Sequence, residues 1–160
     1  MQINNILFYS DEVSIRITVS KESINTMYQF CNESYPNEIG GILIGKYADS
    51  LTAEIVTIVG PSKDSKSWKT RFTRGTKGIN KLLKGYWNQG LYYLGEWHFH
   101  PNGTPSPSDI DTNTMKSIAN NSKYNCPEPI LIIISGSHNN YHQKSYLYLS
   151  NGDNFEMKSE

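Results

Sequence analysis

Ile130-Leu131-Ile132-Ile133-Ile134-Ser135 is an unbroken apolar run, and it restricts the fold more than any other short feature of the chain. A strand with one face in water alternates apolar and polar residues, whereas a run that is apolar at every step belongs inside a sheet covered on both sides. The segment therefore predicts a buried central strand, paired with Lys144 to Leu149 (KSYLYL) across a turn region from Gly136 to Gln143. Further strands are expected at Ile3 to Tyr9, Ser14 to Val19, Ile39 to Tyr47, Ala53 to Val59 and Leu91 to Phe99, with a short one at Trp68 to Thr73. Glycines 40, 41 and 45 predict close backbone approach or bulges. Three helices are expected: Lys21 to Cys31 behind an N-capping Ser20, about Thr76 to Asn88, and about Ser108 to Asn121. The fold class is α/β of the α+β type.

At 160 residues the chain matches one ordinary domain, expected over residues 1–150, with a polar and mobile tail at 151–160. Fifteen basic and fifteen acidic side chains balance, which argues against a nucleic-acid partner. No apolar run approaches the roughly 18 residues of a membrane span, and Met1 to Asn5 lacks the blocks of a secretory signal, so a cytoplasmic protein without a membrane partner is expected. Cys31 and Cys126 form no Cys-x-x-Cys pair and are read as reduced, small buried residues. Residues 61–90 concentrate Lys63, Lys66, Lys69, Arg71, Arg74, Lys77, Lys81 and Lys84 against Asp64 alone. That segment is either a solvated loop and helix or a docking surface for an acidic protein segment.

The chemistry gathers after the Leu91 strand, in His98-Phe99-His100, seven residues, Ser108, two residues and Asp111. On a strand, residues i and i+2 share a face, so both imidazoles can reach one ion while Phe99 packs on the other side. Asp111, in the first turn of the following helix, can add a carboxylate. Two His and one carboxylate leave a fourth position open, as in hydrolytic zinc sites. The competing reading of Ser108-x-x-Asp111 is a helix capping box. The whole pattern arises by chance on the order of once in a few thousand chains of this composition. Glu38, just before Gly40-Gly41, is the candidate general base, because the small residues beside it leave room for water and substrate. His138 and His142 are assigned to a surface turn between strands, given Gly136, Asn139 and Asn140. Trp68, Trp87 and Trp97 are read as core or groove-lining aromatics.

With Glu38, His98, His100, Ser108 and Asp111 the chain resembles the JAMM (MPN-positive) metalloprotease family, over nearly its whole length. The residue between the histidines, commonly Ser or Thr there, is Phe99 here. The resemblance implies a single MPN/JAB-like domain, a mixed sheet flanked by helices, and one zinc per chain on His98, His100 and Asp111. It also implies that Glu38 takes the proton of an attacking water and returns it to a departing lysine amine, while Ser108 stabilises the oxyanion. Gly95-Glu96-Trp97-His98, Pro105-Ser106-Pro107-Ser108 and Gly60-Pro61 leading to Arg71-Phe72 are similar to the stand-alone isopeptidases of bacterial CBASS antiphage operons, which remove a conjugated nucleotidyltransferase from its targets. The implied partner is a protein conjugate with a flexible C-terminal tail, carrying either that nucleotidyltransferase or a ubiquitin-like protein. A protease of a ubiquitin-like or sulfur-carrier system, a non-catalytic scaffold of the same fold and a peptidoglycan peptidase stay open as alternatives.

Overall fold

The computed structural model describes residues 5–160. Ile3 and Asn4 of the expected first strand, and most of the Met1 to Asn5 segment, lie outside the described residues. The strands are β1 (Ile6–Ser10), β2 (Ile15–Val19), β3 (Ile39–Asp49), β4 (Thr52–Val59), β5 (Lys66–Ser67), β6 (Phe72–Thr73), β7 (Tyr92–Pro101), β8 (Ile130–Ser137), β9 (Asn140–Tyr148), β10 (Asn154–Glu156) and β11 (Lys158–Ser159). The helices are α1 (Lys21–Ser34), α2 (Ile79–Trp87) and α3 (Asp109–Asn120). Nine strands form one mixed sheet in the order β10-β9-β8-β7-β3-β4-β2-β1-β11, and β5 and β6 form a separate hairpin. Among the described residues no helix is long and apolar enough to cross a membrane.

β8 is buried on both faces, as its composition requires. Ile130, Ile132 and Ile134 join the core that contains Ile24, Met27 and Cys31 of α1. Leu131 and Ile133 point the other way, into a second core with Ile79 of α2 and Met115 and Ile118 of α3. Each such side chain contributes about 1.5–3 kcal/mol by leaving water. The turn after β8 is tighter than its polarity suggests. It consists of His138 and Asn139 at positive φ, and β9 already begins at Asn140.

The C-terminal residues do not form the expected mobile tail. β10 pairs with β9 and β11 pairs with β1, at opposite ends of the strand order, with Met157 alone between them. Met157 is buried in the α1 core, and its N–H donates to the Ser145 carbonyl at 2.8 Å. The last residues thus tie the two edges of the sheet together and leave fewer strand groups unpaired.

A bulge in β7 sets the phase of the residues that matter most. Leu43 pairs with Gly95 and Ile44 with Tyr93, so Leu94 is one residue extra. Leu94 and Trp97, three positions apart, both face the α1 core, which unbroken alternation would forbid. Trp97 and Phe99 then point into that core, and Glu96, His98 and His100 turn to the opposite, α3-bearing face. A Cβ on Gly95 would lie 1.8 Å from the Ile130 carbonyl oxygen, a backbone atom that cannot yield cheaply. Gly95→Ala is expected to lower stability by at least about 1–3 kcal/mol in urea denaturation; an unchanged midpoint would contradict this role for the bulge.

The basic segment has more internal structure than its charge conveys. The single strand expected at Trp68 to Thr73 is a hairpin, because the Trp68 N–H donates to the Arg71 carbonyl at 2.8 Å and closes a turn. Helix α2 starts later than expected because Asp64 occupies the preceding amides. Its carboxylate accepts from Lys77 N–H at 3.0 Å, Thr76 N–H at 3.1 Å and the Ser62 hydroxyl at 2.9 Å. These bonds, the Lys77 amide first, hold its pKa down to about 2. A depressed carboxylate stabilises the fold above its ordinary titration range, and the contribution is lost as pH falls towards 2. Asp64→Ala is expected to speed tryptic cleavage within 63–77 at neutral pH, read by limited proteolysis; an unchanged cleavage rate would count against the anchoring role.

Candidate active site

The β7, α3, β8 succession is a parallel βαβ unit, with β7 and β8 in register from Gly95–Ile130 to Pro101–Gly136. In such units the strand ends and the helix start converge, which favours sites there. His98 and His100 stand at the end of β7, and α3 begins with Ser108 as its N-cap. Ser108 and Asp111 form a complete capping box: Asp111 N–H donates to Ser108 Oγ at 3.0 Å, and Ser108 N–H donates to Asp111 Oδ2 at 2.9 Å. The capping and metal-ligand readings are compatible. The cap fixes the Asp111 carboxylate, and the same carboxylate faces both imidazoles.

His98 Nδ1 lies 2.8 Å from Asp111 Oδ1, and His100 Nε2 lies 3.2 Å from Asp111 Oδ2. One ligand atom from each of the three residues falls within 4.8 Å of the others. A tetrahedral shell with bonds near 2.0–2.1 Å sets its donors about 3.4 Å apart, so small shifts would close this cluster around an ion. The donor set fits a zinc ion. Burial opposes charge on Asp111, yet hydrogen bonds with His100 and His98 hold its carboxyl well below the usual range. Burial likewise lowers His100, but the Asp111 bond and charge, with Glu38 and the Thr104 backbone, raise it overall.

Register delivers Glu38 to the same spot. Ile39 pairs with Phe99 and Gly40 with His98, so one step further along the antiparallel ladder sets Glu38 beside His100. Its Oε1 is 3.9 Å from His100 Nε2, farther than the Asp111 contacts and within one water's reach. Burial raises the Glu38 carboxyl, with the Asp111 charge adding to it against the histidines. Gly40 is required by packing: a Cβ there would lie 2.7 Å from His98 Cδ2 and 3.1 Å from Phe72 Cε1.

Sequence reasoning missed the contribution of the 66–74 segment. Phe72 is buried and meets the His98 ring edge-on, with centroids 5.6 Å apart. The Glu38 N–H donates to the Trp68 carbonyl at 2.7 Å. Arg74 is not a free surface cation: it is half-buried and ion-paired with the buried Glu96. The unpaired look of the basic run gave no hint of this. The signal was the lone acid of β7, at position 96 between the apolar Leu94 and Trp97.

The remaining candidates do not join the donor group. His138 and His142 are exposed, and Trp97 is buried while Trp68 and Trp87 are exposed. Cys31 and Cys126 are free and buried, and burial pushes Cys126 up to about 12, so neither is a poised nucleophile. A cavity of about 830 Å³ lies elsewhere, lined by residues such as Tyr47, Trp87, Tyr92 and Cys126. None of Glu38, His98, His100, Ser108 or Asp111 lines it, and among the described residues the one group of donors placed to hold a metal lies outside it.

The mixed sheet thus carries two imidazoles on one strand and a carboxylate on the next helix. Prokaryotic homologs of the JAB domain match residues 20–147, and the chain belongs to that family. It is 46% identical over 137 residues to the CD-NTase/cGAS isopeptidase of Enterobacter hormaechei subsp. hoffmannii, covering 85% of this chain and 76% of that protein. It is 28% identical over 132 residues to the protein of the same description from Pseudomonas aeruginosa, covering 79% and 81%. The corresponding Escherichia coli protein is 29% identical over 144 residues, covering 85% of each chain. The solution structure of a Desulfitobacterium hafniense protein shares the fold, with a TM-score of 0.62 at 22% identity over 90% of this chain and 89% of that one.

Proposed function

We propose that this chain is a zinc-dependent isopeptidase that hydrolyses the bond between the C-terminus of a conjugated CD-NTase/cGAS-like nucleotidyltransferase and a target lysine, reversing conjugation in CBASS antiphage defence. The convergence of His98, His100 and Asp111, with Glu38 alongside, carries the proposal. The substrate class is supported by three relatives bearing the name CD-NTase/cGAS isopeptidase.

His98, His100 and Asp111 would hold the zinc. When bound, zinc supplies Lewis acidity, bringing the pKa of a water towards about 7 and polarising the scissile carbonyl. Glu38 accepts the proton of the attacking water and delivers it to the lysine nitrogen as the amide C–N bond breaks. A C–O bond replaces that C–N bond, so the products are a free C-terminal carboxylate and a restored lysine amine. Ser108 Oγ accepts from the Asp111 amide and keeps its own proton free to donate to the developing oxyanion.

The test is incubation of the zinc-loaded protein with a nucleotidyltransferase joined through its C-terminus to a target lysine, alongside a muropeptide control. Mass analysis should find both intact proteins released from the conjugate, none with chelator, and no change in the muropeptide. An intact conjugate with a cleaved muropeptide would overturn the proposal.

A further inference from the structure

Arg74 and Glu96 lie beside the donor cluster without belonging to it. Arg74 Nε donates to Glu96 Oε1 at 2.5 Å, and its two terminal nitrogens donate to the Gly75 carbonyl at 3.0 Å and the Tyr124 hydroxyl at 3.3 Å. The Tyr93 hydroxyl donates to Glu96 Oε2 at 2.5 Å. The pair is almost wholly buried, with side chains 11% and 4% exposed. Burial of an ion pair is a poor means of gaining stability, since desolvation offsets much of the attraction. Its evident consequence here is positional.

Glu96 and His98 project from the same face of β7, and Arg74 follows Phe72 by two residues. Anchoring Arg74 on Glu96 therefore sets Phe72 over His98. The imidazole sits in a slot, with Gly40 against its Cδ2 and the Phe72 ring meeting it at 81°. The same segment reaches Glu38 through the Trp68 carbonyl. We propose that Arg74, clamped by Glu96, is a positioning residue that docks residues 66–73 so that Phe72 fixes the plane of the His98 ring. The consequence for zinc rests on the reading of His98 as a ligand; the docking itself does not.

Two variants test it. Arg74→Lys keeps a cation beside Glu96 but cannot also hold Gly75 and Tyr124, and Phe72→Leu keeps apolar bulk but removes the ring. In the metal-free protein, the imidazole resonances of His98 should lose the ring-current shift from Phe72 in Phe72→Leu and lose part of it in Arg74→Lys, with core isoleucine methyl resonances unmoved. Zinc affinity by chelator competition should fall about tenfold in both, the size of effect typical for groups that orient a ligand. Turnover should fall at unchanged KM. Folded Arg74→Lys with wild-type His98 resonances and wild-type zinc affinity would overturn the proposal. Shifted His98 resonances in a protein whose wild type takes up no zinc would support the clamp and overturn the metal reading instead.

Discussion

Glu38→Gln is expected to retain one zinc per chain and to lose about 10²- to 10⁴-fold in isopeptide turnover, the range associated with a positioned general base. The substitution preserves size and leaves the Glu38 backbone bond to Trp68 untouched, so the hairpin beside it should stay in place. It removes the proton acceptor. Glu38 lies outside the donor group of His98, His100 and Asp111, with its Oε1 3.9 Å from His100 Nε2, the place expected of a base beside the ligands. Without proton delivery the lysine nitrogen would have to leave as an amide anion, a very poor leaving group, so the defect should appear in kcat and not in KM. Metal analysis and steady-state kinetics on the same preparation decide the matter. Full turnover would remove Glu38 from the mechanism, and loss of zinc would make it a ligand.

Asp111→Asn is expected to abolish turnover and to weaken zinc binding by at least about 100-fold, exceeding the effect of altering an outer group. The amide oxygen can still accept the Ser108 N–H, so α3 should keep its cap, and the change in stability should stay within the roughly 0.5–2 kcal/mol of a capping loss. The separation of the two roles is the point of the variant. If the residue were only a helix cap, zinc content and turnover would survive. Thermal unfolding beside chelator competition distinguishes the two results.

Much of this was legible because local rules agreed with one another. The two-faced burial of β8 follows from Ile130 to Ile134, and the grouping of His98 with His100 follows from strand alternation. Ser20 and Ser108 marked helix starts that the structure keeps. What stayed hidden depended on contacts distant in sequence. Alternation alone puts His98 and His100 on one face without saying which, and the Leu94 bulge that decides it shows only in the register with β3. The last ten residues look like a tail because they are polar, yet the β10 and β11 backbones find partners at both edges of the sheet, and Met157 supplies the one buried anchor. Arg74 read as one more surface charge because its counterion, Glu96, is 22 positions away. Phe72 carries no sequence signal of function; it meets His98 edge-on in space left by the absence of a side chain at Gly40.

The most direct measurement is anomalous diffraction at the zinc edge from crystals of the zinc-loaded protein. The expected result is one peak per chain in contact with His98, His100 and Asp111, with the Glu38 carboxylate near it but outside bonding distance. No peak at these three residues, or a peak held by other side chains, would contradict a hydrolytic zinc centre at this site.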